Sequence, residues 1–216
     1  MYWKDPSLVL WLTFDEEAGN IAYDYSGKGN NGTIYGALRV KSPFNRALSF
    51  DGVDDYVNCG NILNFEGNAP YTLAVWFNSF YPTYGWPRVI SREIFSPNRN
   101  GYLIYIEKSN NLIGTERWVN GTAVRITTRV IFNVWNFAVA TYDGSKLRFY
   151  LNGNKIAEAN DTRSMITFSA NLTIGCASTM YDFFYGIIDE VMIFNRALSD
   201  AEISRLYYDY IKHKRL

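Results

Sequence analysis

Histidine is almost missing from this chain of 216 residues: His213, near the C-terminus, is the single one. With it go Ser-His-Asp and Cys-His catalysis and the usual His-rich zinc sites. Cysteine is nearly as scarce. Cys59 and Cys176 are the only two, too few for a zinc knuckle, and they form either one disulfide or two buried thiols. No excess of either charge exists, Lys+Arg and Asp+Glu standing at 21 each, so there is no broad basic field to gather nucleic acid or an anionic membrane. The basic tail from Lys212 to Arg215 is too short to change that. No apolar run approaches transmembrane length, which argues against membrane insertion. Neither a Gly-rich phosphate loop ending in Lys-Ser/Thr nor a dinucleotide fingerprint occurs. Residues 1–6 lack the basic and apolar regions of a signal peptide, so the expectation is a cytosolic chain or a mature or excised part of a longer protein.

Aromatic residues, in contrast, are abundant: 17 Tyr, 14 Phe and 6 Trp. They suit strands, and they suit surfaces that bind sugars or peptides. Hydrophobic residues make up 48% against 19% charged, which places the chain among globular proteins with one full core. Short strand-like segments recur with turn signals between them, at 8–14, 46–50, 56–59, 71–78, 101–107, 112–118, 122–127, 135–142, 146–151, 155–159 and 172–175. Asp143-Gly144 and Asn152-Gly153 supply the positive φ of tight hairpins, joining 135–142 to 146–151 and that segment to 155–159. Within 146–151, Leu147, Phe149 and Leu151 alternate with Lys146, Arg148 and Tyr150, the mark of a half-buried antiparallel strand. One helix is expected over 199–211. Ser199 and Glu202 form a capping box, followed by the stripe Ala201, Ile203, Leu206, Tyr207 and Tyr210. The fold class is all-β: a two-sheet antiparallel sandwich of one domain spanning 1–216, core 7–198, with a short C-terminal helix.

The segment Tyr185-Gly186-Ile187-Ile188-Asp189-Glu190-Val191-Met192-Ile193-Phe194-Asn195 reads as a strand. Alternation puts Ile187, Asp189, Val191 and Ile193 on one face and Ile188, Glu190, Met192 and Phe194 on the other. An acid then points inward whichever face meets the core. Such an acid must be paired, hydrogen-bonded or bound to metal. Two readings stand: the strand is at an edge or bulged and the acid escapes to solvent, or Asp189 holds a hard cation such as calcium. The loop 24–31 does not fit an EF-hand, since Tyr35 stands where the closing Glu belongs. Asp24 and Ser26 are read as turn formers.

Several motifs, in order, carry a resemblance. They are Leu10-Trp11-Leu12-Thr13-Phe14-Asp15-Glu16, Ala47-Leu48-Ser49-Phe50-Asp51-Gly52-Val53-Asp54-Asp55-Tyr56-Val57, Tyr71-Thr72-Leu73-Ala74-Val75-Trp76-Phe77, Trp135-Asn136-Phe137-Ala138-Val139-Ala140-Thr141-Tyr142-Asp143-Gly144, Leu151-Asn152-Gly153 and Gly186-Ile187-Ile188-Asp189-Glu190-Val191. Together they resemble the laminin-G-like jelly rolls of the concanavalin A-like lectin/glucanase superfamily, over nearly the whole chain. The resemblance implies a jelly-roll sandwich with one concave face. It also implies a structural calcium, nominating Asp189 with Asp15, the carbonyl of Phe14 and Gly52 as ligands. It leaves function open, because this fold hosts lectins, adhesion modules and glycosidases.

For catalysis, glycosidases need only two carboxylates, but the Glu-x-Asp-x-x-Glu series of the related glucanases is missing. Asp189 and Glu190, being adjacent, are expected on opposite faces. Glu107, with Tyr105 and Tyr102 nearby, is the least unsuitable candidate, and Glu93 and Glu116 lack the spacing. No catalytic residue is assigned. Candidate ligand-binding residues are aromatic and polar side chains in loops: Tyr81, Tyr84, Trp86 and Arg88 in one stretch, Tyr181 in a second, and Trp118 beside Arg117 and Asn120 in a third. Trp11, Trp76 and Trp135 are assigned to the core or sheet faces. The expected function is a non-catalytic, lectin-like carbohydrate-binding module, extracellular or surface-associated, virion surfaces included. Its partner would be a carbohydrate or cell-surface glycan. A protein-binding adhesion module and a glycoside hydrolase or lyase are the alternatives. The four sequons, at Asn31, Asn120, Asn160 and Asn171, are compatible with an extracellular life without showing it.

Overall fold

The computed structural model describes residues 4–81 and 85–214, with side chains through Lys212. Its strands are β1 (Leu8–Leu12), β2 (Ile21–Ala22), β3 (Gly32–Tyr35), β4 (Leu38–Ser42), β5 (Asn45–Asp51), β6 (Tyr56–Asn58), β7 (Tyr71–Ser79), β8 (Arg88–Ile94), β9 (Asn100–Glu107), β10 (Leu112–Val119), β11 (Thr122–Arg129), β12 (Asn136–Tyr142), β13 (Lys146–Leu151), β14 (Asn154–Asn160), β15 (Thr173–Ile174) and β16 (Tyr185–Phe194), followed by helix α1 (Asp200–Lys214). They form two antiparallel sheets. The first runs β14-β13-β12-β7-β16-β5-β4, with β1 also paired to β16, and the second runs β11-β10-β9-β8-β15-β6-β3-β2. The expected hairpins are present, β12 to β13 through Asp143-Gly144 and β13 to β14 through Asn152-Gly153.

Between the sheets lies a core of alternate strand residues, among them Leu73, Val75 and Phe77 of β7, Tyr102, Ile104 and Ile106 of β9, and Leu147 and Phe149 of β13. Each such side chain contributes about 1.5–3 kcal/mol on burial. Cys59 and Cys176 are free and buried within this framework. Burial pushes both thiols up to about 12, so they behave as small apolar groups.

The far side of the first sheet is also covered. Phe44, Trp76, Phe137, Met192 and Phe194 pack there against Ile203 and Leu206 of α1, with Trp11 and Trp135 at the margin. The capping box starts the helix: the Ser199 N–H donates to Glu202 Oε2 at 2.8 Å, and the Glu202 N–H to Ser199 Oγ at 3.3 Å. Tyr207 stacks on Trp76 with ring centres 5.6 Å apart and planes 15° off parallel. The first sheet is therefore buried on both faces along β12, β7 and most of β16. The second is shielded on one, and its outer surface along β8–β11 is where a ligand can approach.

The alternation expected along β16 is broken by a bulge. Asp189 pairs with Trp76 and Met192 with Ala74, so Glu190 and Val191 together oppose Val75. Glu190 takes φ +49°. As a result Ile188, Val191 and Ile193 enter the core while Met192 and Phe194 face the helix. Asp189 and Glu190 are not separated by the sheet. Both meet groups on the helix side. The Ser42 hydroxyl donates to Asp189 Oδ2 at 2.6 Å, and Glu190 Oε2 accepts from Trp11 Nε1 at 2.7 Å and the Tyr210 hydroxyl at 2.8 Å. The strand is bulged, but Asp189 does not escape to solvent, being 0% exposed. Burial, with repulsion from Glu190, holds its carboxyl well above the usual carboxylate range.

Candidate functional site

Four neighbouring strands of the second sheet build the site. Read across β8, β9, β10 and β11, the register aligns Ser91, Leu103, Glu116 and Arg125 in one row. Glu93, Gly101, Trp118 and Ala123 form a second, and Arg88, Tyr105 and Gly114 a third. Gly101 has φ +139°, and a Cβ there would stand 2.2 Å from the Arg92 carbonyl oxygen. Only glycine fits, and its bareness opens the floor beside Trp118. The segments around 85–86 and 181–182 rise as a wall. Asp182 ties them together, its carbonyl accepting from the Arg88 N–H at 3.0 Å and its Oδ1 from the Trp86 N–H at 3.4 Å. The result is a groove of about 460 Å³ with Trp86, Phe95, Tyr105, Trp118 and Tyr181 among its walls.

Ion pairs fix the polar groups of the groove. Arg88 Nε donates to Glu93 Oε1 at 2.8 Å, and Arg99 donates to Glu93 Oε2 through Nε at 2.9 Å and Nη2 at 2.5 Å. The second carboxylate, Glu116, accepts from Arg125 Nη2 at 2.5 Å and from Trp118 Nε1 at 2.5 Å, with Arg99 Nη2 at 3.6 Å. Arg88 also donates to the Trp86 carbonyl and lies 3.6 Å from Asp182 Oδ2. Arg99 contacts the faces of Trp118 and Phe95 at 4.1 and 4.5 Å, a cation–π arrangement that holds both rings in place. Trp86 remains 52% exposed and Tyr181 39%. Rigid rings beside fixed hydrogen-bonding groups are what a sugar needs: an apolar platform for the ring and oriented partners for its hydroxyls.

Trp86, Arg88, Trp118 and Tyr181, expected in three separate stretches, meet in this groove. Tyr84 lies outside the described residues. Tyr81 does not join them: it packs edge-on against Phe132 at 5.2 Å, with the Lys108 ammonium 5.7 Å from its ring. Arg117, neighbour of Trp118, points to the opposite face and bonds Asp161 at 2.8 Å. Sequence reasoning passed over Phe95, Arg99, Tyr105 and Arg125 as ligand contacts, and set Glu116 aside. A signal was present for two of them. Alternation along 112–119 puts Glu116 on the face of Trp118, and the Asn120-Gly121 hairpin sets Arg125 opposite Glu116.

The catalytic candidate Glu107 is not in the groove. Its carboxylate accepts from the side chains of Ser109 and Asn110, in the 3-10 turn Lys108–Asn110. Tyr102 lies in the core and donates to the Leu63 carbonyl. Glu93 and Glu116 approach each other through Arg99, but Glu93 is 0% exposed and its oxygens are taken by Arg88, Ser91 and Arg99.

The calcium ligands implied by the resemblance are not assembled. Tyr185 pairs with Asp51, which leaves Gly52 about five strand positions from Asp189, about 15 Å away. The Phe14 carbonyl accepts from Arg39 Nη1 at 3.2 Å, and the same guanidinium bonds Glu16 at 2.8 Å and the Ile21 carbonyl at 2.9 Å. Of the nominated ligands, the Phe14 carbonyl is the one this guanidinium meets. Asp15 accepts from the Arg46 N–H at 3.0 Å. Asp189 is satisfied by Ser42 and by the Glu190 N–H at 2.8 Å. The residues do not fit a calcium ion as a set. The loop 24–31 behaves as expected, Asp24 accepting from the N–H groups of Trp11, Ser26 and Asn30.

Comparison with known proteins agrees with the fold. A family model for the concanavalin A-like lectin/glucanases superfamily, Laminin_G_3, matches residues 51–204. No curated protein matches by sequence. Among solved structures, domain 4 of AbnA, a GH43 extracellular arabinanase of Geobacillus stearothermophilus in complex with arabinotriose, superposes with TM-score 0.73 at 16% identity, covering 93% of this chain and 98% of that one. The binding domain of Paraclostridial Mosquitocidal Protein 1 gives 0.74 at 16% identity, over 95% and 52% of the two chains. The binding domain of Botulinum Neurotoxin DC in complex with SialylT gives 0.70 at 18% identity, over 94% and 52%. The chain thus spans about half the length of the toxin domains it resembles. The family match covers well over half of the sequence and coincides with the two-sheet architecture; the chain belongs to the Laminin_G_3 family of the concanavalin A-like lectin/glucanase superfamily.

Proposed function

We propose that this protein is a non-catalytic, lectin-like module that binds carbohydrate in the β8–β11 groove. The observation that carries this reading is the convergence of Trp86, Trp118 and Tyr181 around locked arginine–carboxylate pairs. Rings held by Arg99 and by hydrogen bonds lose little freedom on meeting a ligand, which favours affinity. Binding is favoured over hydrolysis because Glu93 is sealed from solvent and engaged on both oxygens. Support also comes from the similar domains of a secreted arabinanase and of toxins, which favour an extracellular or surface role with a glycan as partner.

The test is a glycan array followed by calorimetry on the positive glycans. Binding that is lost in Trp118→Ala and weakened in Trp86→Ala, with no sugar released over hours, supports the reading. Capture of a protein with no glycan bound would favour the adhesion alternative, and release of shortened sugar would favour the hydrolase.

A further inference from the structure

The charges of the groove are already matched. Arg88, Arg99 and Arg125 stand against Glu93, Glu116 and Asp182, and each of the six has an ion-pair partner within the cluster. An acidic ligand would draw a guanidinium away from its carboxylate. The side chains left behind, Glu93 at 0% exposure and Glu116 at 4%, would then be buried charges stripped of a partner, which is strongly unfavourable. A neutral hydroxyl makes no such demand. It donates and accepts at once, and inserts into the network without removing a counter-charge.

The floor holds one group that is poorly partnered. Tyr105 is 1% exposed, and its hydroxyl, though near the Glu116 carboxylate, has no well-formed hydrogen bond. Burial, and then the nearby Glu116 carboxylate, push its phenol well above the ordinary range, so it stays protonated and keeps a proton to donate. The guanidinium carbons of Arg88 and Arg125 lie 5.9 and 6.0 Å from its ring centre. The Arg125 side chain is 50% exposed and forms the outer part of this cover, so its stem can shift while Nη2 keeps Glu116. A buried hydroxyl without a well-formed hydrogen bond destabilises the protein that carries it, and a ligand hydroxyl would relieve this.

We infer that the groove selects neutral sugars over acidic ones, and that the Tyr105 hydroxyl is a specificity contact to a ligand hydroxyl. The inference rests on the carbohydrate reading of the groove. The experiment is calorimetric titration with two sets of probes. The neutral set is arabino-, xylo-, gluco-, manno- and galacto-oligosaccharides; the acidic set is oligogalacturonate and sialyllactose. The expected result is binding within the neutral set only, with less than about a twofold change on raising NaCl from roughly 50 to 500 mM. Tyr105→Phe should lower that affinity about tenfold while the melting temperature holds or rises. A merely structural tyrosine would do the reverse. Glu116→Gln, which leaves Arg125 without its carboxylate, should weaken neutral binding and admit acidic probes. Salt-sensitive binding of an acidic probe to the unaltered protein would overturn this inference while leaving carbohydrate binding intact. Silence toward both sets would overturn both readings, and an unchanged affinity in Tyr105→Phe would remove the role given to Tyr105.

Discussion

The Arg99 guanidinium lies 4.1 Å from the centre of the Trp118 ring while bonding Glu93 at 2.5 Å, so one side chain joins the aromatic wall of the groove to its buried carboxylate. Arg99→Ala removes both contacts. Glu93 keeps Arg88, so the fold should survive with a loss of about 2–3 kcal/mol, below the full cost of stranding a buried charge. Loosening of Trp118 should weaken sugar binding further. Denaturant melts and titrations of the variant check the two effects separately.

Chelation should leave stability unchanged. Arg39, not an ion, satisfies the carbonyls of Phe14 and Ile21 and the carboxylate of Glu16. Adding EDTA or calcium should shift the melting temperature by less than about a degree. Arg39→Ala, in contrast, leaves these acceptors without their donor and should cost about 2–3 kcal/mol. A calcium-dependent melt of several degrees would contradict this.

Asp189 should make the protein more stable in mild acid than at neutral pH. Its folded carboxyl binds protons more tightly than the unfolded one. Between the unfolded value and the raised folded value the folded state holds the extra proton, so stability falls as pH rises through that window. Asp189→Asn removes the titration and keeps the amide oxygen as acceptor. It should flatten the pH dependence and raise the neutral melting temperature by a few degrees, as about 1 kcal/mol does in a domain of this size. Melts from about pH 4 to 8 provide the comparison.

Asp161 works in the opposite sense. Though burial opposes it, bonds from Arg163 and Arg117 hold its carboxyl below the usual range. Its stabilisation is present above the unfolded value and is lost as pH falls through the depressed folded value. Removal by Asp161→Ala leaves Arg117, 1% exposed, without its carboxylate and should cost about 3–5 kcal/mol. The same variant should lose much of the steep acid unfolding limb.

The sheets were legible where local rules decide. Asp-Gly and Asn-Gly hairpins, the alternation of Leu147, Phe149 and Leu151, and the Ser199–Glu202 box all appear as read, because each depends on neighbours in sequence. The acids at 189 and 190 were misassigned because alternation assumes an unbroken ladder, and the bulge that breaks it lies in the pairing with β7, between Trp76 and Ala74. Loop aromatics pointed to the groove, but Arg99 could not be placed. It reaches Glu116 only after two hairpins have folded β8, β9 and β10 side by side. The nominated set of Phe14, Asp15 and Gly52 came from the resemblance, and no local pattern announces that Arg39, from β4, meets the Phe14 carbonyl.

The most direct test of the groove is the set of tryptophan indole N–H resonances during titration with a bound oligosaccharide. Trp86 and Trp118 line the groove, whereas Trp11, Trp76 and Trp135 pack beneath or beside α1 on the other sheet. The indole signals of Trp86 and Trp118 should move with saturating, ligand-dependent shifts while those of Trp11, Trp76 and Trp135 stay fixed. Shifts confined to Trp11, Trp76 or Trp135 would place the sugar on the helix-covered side and contradict the account.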